Sequence, residues 1–187
     1  MNATGAARRA GGFTLIEVLV ALIVIAIGLL GIAKIQAVAL SSTGVASARS
    51  LAALEASSLA ASMHADRAYW GAGGIAVVPI TVTSTGPTTF VISDATLAAG
   101  GNCESGGSDT PCTPAKLAAY DMNKWAAAVN ALLPGAVSTI TCSNNINAPV
   151  DCTIQLSWGE QAVAINAQGT SAAAAFNTPT YVLNVEP

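Results

Sequence analysis

Apolar positions along this chain change their rhythm three times. From Phe13 to Ala33, 21 residues carry one ionisable side chain, Glu17, and no further charge appears until Lys34. That run is long enough to cross a bilayer as a helix. Beyond Lys34 the helical spacing continues through Ile35, Val38, Leu40, Val45, Leu51, Leu54, Leu59 and Met63, set among alanines and serines. No proline lies between Met1 and Val78. The pattern predicts one helix from about Phe13 to about Arg67, roughly 80 Å long. Its first half, 13–33, is a transmembrane or filament-core segment. Its second half is amphipathic, with Gln36, Arg49, Glu55, Ser58 and the single histidine, His64, expected to face solvent.

After this helix the period shortens. Tyr69-Trp70 and the glycines at 71, 73 and 74 read as a loop. Ile75–Thr83 and Thr88–Ile92 read as strands around a Ser-Thr-Gly-Pro turn, and 98–111 as a Gly/Ser/Asp-rich surface loop. Thr113-Pro114 predicts a second helix, with a cap residue followed by proline at the first position. Leu117, Asp121, Trp125, Ala128, Val129 and Leu132 are expected on one face, and Leu133-Pro134-Gly135 at its end. Asp121 is then an acid on an apolar face, expected to be buried and hydrogen-bonded. Val137–Thr141 is a strand. Cys152, Ile154, Leu156 and Trp158 alternate with polar residues as in a half-buried strand. Gly159-Glu160 is expected to turn tightly into a strand at Gln161–Asn166, and Tyr181, Leu183 and Val185 suggest a last strand. The expected fold class is α+β: a long N-terminal helix packed on an antiparallel sheet domain, 68–187, that carries an extra helix.

Composition sharpens this reading. The chain is 52% hydrophobic and 9% charged, far below the roughly 25% charge of ordinary soluble domains. Its formal net charge is −3. Removing a leader that contains Arg8 and Arg9 but no acid leaves five basic residues against ten acidic ones, or −5. No basic footprint for nucleic acid is present. The four cysteines, Cys103, Cys112, Cys142 and Cys152, all follow the apolar run, and an even count fits two disulfides formed in an oxidising compartment. Four cysteines allow three connectivities. The short separations favour Cys103–Cys112 and Cys142–Cys152, and buried free thiols are the other reading. With one histidine, no G-x-S-x-G and no spaced carboxylate pair, the chain offers no catalytic constellation and implies no metal or cofactor.

The distinctive chemistry precedes the apolar run. In Gly11-Gly12-Phe13-Thr14-Leu15-Ile16-Glu17 a glycine, an aromatic residue and a glutamate stand at fixed spacing. A secretory signal would place its cleavage site after the apolar region, and a plain anchor would not need a glutamate. The segment resembles the processing site of type IV prepilins. That resemblance implies a cytoplasmic leader, 1–12, held inside by Arg8 and Arg9. It implies cleavage by a prepilin peptidase between Gly12 and Phe13, N-methylation of Phe13, and an assembly role for Glu17. Cleavage creates an α-amino group that titrates at about 7.7–8.0, which a neighbour's Glu17 could pair with inside an apolar filament core. Gly28 and Gly31 are expected to supply flexibility or close helix contacts.

A second stretch narrows the resemblance. Cys112-Thr-Pro114 through Asp121, Trp125 and Leu132-Leu133-Pro134-Gly135, then a strand ending at Trp158, is similar to the PilV family of type IV minor pilins, as is Gly28-Leu-Leu-Gly31. Ala136 departs from the second glycine usual after Leu-Pro-Gly. The resemblance implies a minor pilin that helps prime pilus assembly and display at the tip with other minor pilins, and that affects adhesion. Its expected partners are the prepilin peptidase, other minor pilins, the major pilin and the inner-membrane assembly platform. Its expected location is the bacterial inner membrane, single-pass with a periplasmic C-terminal domain, then the surface pilus. A type II secretion minor pseudopilin shares Phe13–Glu17 and is the alternative. A membrane-anchored periplasmic enzyme and a DNA-uptake receptor lack supporting residues.

Overall fold

The computed structural model describes residues 12–72, 79–104, 106–107, 111–143, 148–161 and 176–187. The chain divides into two compact units, Met1–Leu40 and Ser41–Pro187. Helix α1 runs Leu15–Ala65, as the unbroken, proline-free pattern requires. In the first unit every described residue from 12 to 37 is exposed, including the large apolar side chains of Leu15 to Ile35.

In the second unit α1 acquires a buried stripe at Ala52, Glu55, Ala56, Leu59 and Met63. The spacing of three and four residues places them on one face. The helix ends one residue short of Asp66, whose backbone leaves the helical region (φ −110°, ψ 56°) and starts the short α2, Arg67–Trp70. Trp70 is buried and meets Tyr69 edge to face at 5.2 Å.

The sheet strands are β1 (Ile80–Gly86), β2 (Thr89–Ile92), β3 (Val137–Cys142), β4 (Cys152–Ser157) and β7 (Thr180–Val185). They form one antiparallel sheet in the order β2-β1-β3-β4-β7. Register places Ile80, Ile140, Ile154 and Leu183 in one row across the sheet. Val82, Ser138, Leu156 and Tyr181 form the next. These rows line the inner face, and together with the α1 stripe and helix α4 (Pro114–Leu132) they make a single core. Cys142 stands opposite Cys152 and is disulfide-bonded to it; Cys103 is bonded to Cys112.

Helix α4 begins as its sequence demands. Thr113 caps it, its Oγ1 accepting the Lys116 N–H at 3.3 Å, with Pro114 in the first turn. After Leu133 the chain reverses through Gly135, at φ +65°, a region that favours glycine.

Several expectations are corrected. The buried face of α4 is Ala118, Ala119, Met122, Trp125, Ala126, Val129 and Asn130, while Leu132 is exposed and Asp121 only half-buried. Apolar character alone put Leu117 and Leu132 on that face; the alanines, which let α4 approach closely, define it instead. Glu55 was expected in solvent and is buried. Helix α3 (Ala95–Ala98), capped by Asp94 accepting the Leu97 N–H at 2.9 Å, precedes the expected 98–111 loop. Gly159-Glu160 is not a tight hairpin turn: β5 (Glu160–Gln161) pairs with β6 (Phe176–Asn177), and β4 pairs with β7. The remainder of the expected 161–166 strand, and 75–78 of the first strand, lie outside the described residues, whereas β1 begins at Ile80.

The inner rows separate packing from polarity. Leu156 and Ser138 are both fully buried neighbours across β3 and β4, and the Ser138 hydroxyl has no hydrogen-bond partner. Leu156→Ala should cost about 2–5 kcal/mol in denaturant unfolding. Ser138→Ala should cost almost nothing or stabilise, because it removes an unsatisfied buried hydroxyl.

Candidate functional site

The N-terminal segment presents its chemistry on the first turn of α1. Thr14 starts the helix: its carbonyl accepts the N–H groups of Glu17 at 3.1 Å and Val18 at 3.3 Å, and its Oγ1 accepts the Glu17 N–H at 3.3 Å. Glu17 therefore lies in the first helical turn, where the helix dipole favours a carboxylate. Phe13 is 82% exposed. Gly12 precedes the helix with nothing among the described residues within 4 Å of where a Cβ would stand, and the same holds at Gly28 and Gly31. The fold of this chain therefore does not itself require glycine at these three positions; any such demand comes from what binds them. Gly11, Arg8 and Arg9 lie outside the described residues. Behind Glu17, α1 contains a stretch long and apolar enough to cross a membrane.

The second unit holds charged groups that the sequence pattern did not single out. Glu160 is buried, and its carboxylate accepts two hydrogen bonds from Arg49, from Nε at 3.0 Å and Nη2 at 3.1 Å. This two-pronged pair holds the Glu160 carboxyl below the ordinary range and raises Arg49 further. Glu104 is similarly lowered, by the Tyr120 hydroxyl donating to it at 2.7 Å and by Lys124 at 3.2 Å. These contacts seat the Cys103–Cys112 loop on α4.

Three other acids are pushed the opposite way. Burial raises Glu55 and Asp66 above the ordinary carboxylate range, and raises Asp121, with the nearby Asp66 adding to it. Glu55 and Asp121 share a cleft of about 300 Å³ with Ser58, Ser62, Lys124 and Trp125. The Trp125 indole N–H donates to the Glu55 carbonyl at 2.8 Å, bolting α4 to α1 beside that cleft. His64 is exposed, as expected. Glu55 was legible in retrospect, because it stands three residues from Ala52 and four from Leu59 on the buried stripe. Glu160 carried no such signal, since its partner is 111 residues away. Among the described residues no group of three or more His, Cys, Asp or Glu is placed to hold a metal ion.

With this geometry in place, comparison with known proteins identifies the N-terminal segment. The model of the prokaryotic N-terminal methylation motif matches residues 7–33. No curated protein and no solved structure matches the chain. The motif, a prepilin-type leader followed by an apolar helix, supports a type IV pilin-like protein, a pilin or pseudopilin subunit. It implies processing by prepilin peptidase and assembly at the membrane with other pilins. The arrangement of α1, the five-stranded antiparallel sheet and the further helices is that of an α+β, pilin-like fold.

The raised acids set a pH dependence. A carboxyl whose folded pKa lies above its unfolded value stabilises the fold while protonated, and that stability is lost as pH rises through the folded pKa. Asp121→Asn should therefore raise the melting temperature by a few degrees at pH 7.5. The gain should shrink as the pH falls through the raised pKa and the wild-type group takes up its proton. Melting curves over that fall in pH check both the sign and the convergence.

Proposed function

We propose that this chain is a minor pilin of the PilV type, which helps initiate type IV pilus assembly and display at the pilus tip with other minor pilins. The observation that carries the reading is the methylation motif over residues 7–33, which runs into a helix whose apolar residues are exposed all round. The resemblance of Cys112–Gly135 to the PilV family supports the minor role.

In this reading the leader 1–12 stays in the cytoplasm, prepilin peptidase cuts between Gly12 and Phe13, and Phe13 is N-methylated. The new amino terminus is one helical turn from Glu17. A bare carboxylate in hydrocarbon costs roughly 2.5–3.5 kcal/mol on insertion scales. Pairing Glu17 with the amino terminus of a neighbouring subunit removes that penalty and fixes the register of docking. The Ser41–Pro187 unit, with its two disulfides, lies in the periplasm before assembly and on the pilus afterwards. Its partners are the prepilin peptidase, the assembly platform in the inner membrane, other minor pilins and the major pilin.

Deleting the gene should reduce surface pili, twitching and adhesion. Wild type should restore them, and Glu17→Ala should not, although its chain is still cleaved. Mass spectrometry of the membrane-extracted protein should find a chain that begins at singly methylated Phe13. Normal piliation with lost protein secretion would move the assignment to a type II secretion minor pseudopilin. Unchanged piliation and unchanged secretion would overturn both.

A further inference from the structure

The cleft between α1 and α4 holds charge that the described residues do not answer. Glu55 is 9% exposed, lines the cleft, and has no hydrogen-bond or ion-pair partner for its carboxylate among the described residues. Asp121 faces it from α4 and is equally without a partner. Asp66, at the α1–α2 junction, is 5% exposed with its Oδ2 unsatisfied, and its field reaches Asp121. The one cation on the rim, Lys124, is engaged elsewhere: its Nζ lies 3.2 Å from Glu104 and 5.4 Å from the centre of the Tyr120 ring. The charged groups lining the cleft are thus Glu55 from α1 and Asp121 and Lys124 from α4, with Glu104 occupying the lysine and Asp66 acting on Asp121 from the junction.

A buried, unpaired carboxylate is expensive unless something compensates it. Among the described residues no group of three or more His, Cys, Asp or Glu is placed to hold a metal ion. The cleft is also far larger than an ion, at about 300 Å³. A guanidinium suits it better. It offers five N–H donors in a planar fork that can bridge two carboxylates, it is weakly hydrated, and it stacks on aromatic surfaces such as the indole in the lining.

We propose that this cleft is a docking site for an arginine side chain of a partner protein, with the guanidinium held between Glu55 and Asp121. The site is separate from the N-terminal motif, so it stands or falls independently of the assembly role of Glu17. It places a specific, salt-sensitive contact on the α1–α4 side of the second unit.

The Trp125 indole N–H is a built-in reporter, since it donates to the Glu55 carbonyl beside the cleft. The full chain in detergent micelles, at pH 7.5 and low salt, is titrated with N-acetyl-arginine amide while the Trp125 indole resonance is followed by NMR. A saturable shift with a dissociation constant of about 1–10 mM is expected, with none from N-acetyl-glutamine amide. Glu55→Gln with Asp121→Asn should weaken it by about tenfold or more without lowering the melting temperature. Should that double variant melt early, Asp121→Asn alone, titrated in the same way, carries the comparison. Lowering the pH should weaken binding as the two acids take up protons. An absent or unsaturable shift, or one equally strong in the variants, overturns the proposal. Saturation by calcium chloride or putrescine at lower concentration than by the arginine probe also overturns it, in favour of a metal or a free-amine site.

Discussion

The second unit is built on the contact between one stripe of α1 and everything that covers it. Ala52, Ala56, Leu59 and Met63 are at most 1% exposed, and the inner rows of the sheet, α4 and Trp70 close over them in a single core. Small residues in the upper part of the stripe allow close approach, and Leu59 and Met63 fill the space below. The Trp125 indole bonded to the Glu55 carbonyl adds a directional tie where packing alone would allow sliding. The inner-face alternation on β1, β3 and β4, the alanine-lined face of α4 and the turn at Gly135 all serve that enclosure.

The first unit has the opposite economy. Every described residue from 12 to 37 is exposed, and almost all of them are apolar. A helix that is hydrophobic all round is at home in a bilayer or inside other protein. Water is an unfavourable solvent for it, and a patch of this extent marks an interaction surface. From Phe13 to Ala33 Glu17 is the one ionisable side chain in these surroundings. Its location in the first turn, next to the helix N-terminus, keeps the polar chemistry of the segment within a few residues.

The parts of this architecture that were legible in the sequence rest on local rules. The length of α1 followed from an unbroken apolar period without proline. The start of α4 followed from Thr113 and Pro114, and β4 from strict alternation. The Cys142–Cys152 bond was favoured by the short separation of the two cysteines, ten residues, and it closes across the β3–β4 pair. What escaped depends on the third dimension. On α4 the expected Trp125 and Val129 are buried, but the alanines at 118, 119 and 126 complete that face, and counting large apolar residues wrongly added Leu132. The partner of β5 is β6, at Phe176–Asn177, and no turn chemistry at Gly159-Glu160 encodes a pairing so far along the chain. Arg49 and Glu160 looked like ordinary polar positions, because an ion pair across 111 residues leaves no periodic trace.

Sparse charge makes the placement of each acid informative. The buried acids Glu55, Asp66 and Glu160 differ in what compensates them. Glu160 has a two-pronged arginine, so its charge is favoured and it fastens α1 to the start of β5. Glu55 and Asp66 have no such partner, and burial works against their charged forms. The core is therefore electrostatically asymmetric: satisfied where α1 meets β5, and in debt where α1 meets α4. In a chain with 9% charged residues, replacing Glu55 by alanine would continue the stripe of Ala52 and Ala56 and relieve that cost. A carboxylate kept at this position makes physical sense when something outside the isolated subunit completes it, just as the exposed helix around Glu17 is completed by surroundings that the subunit alone does not supply.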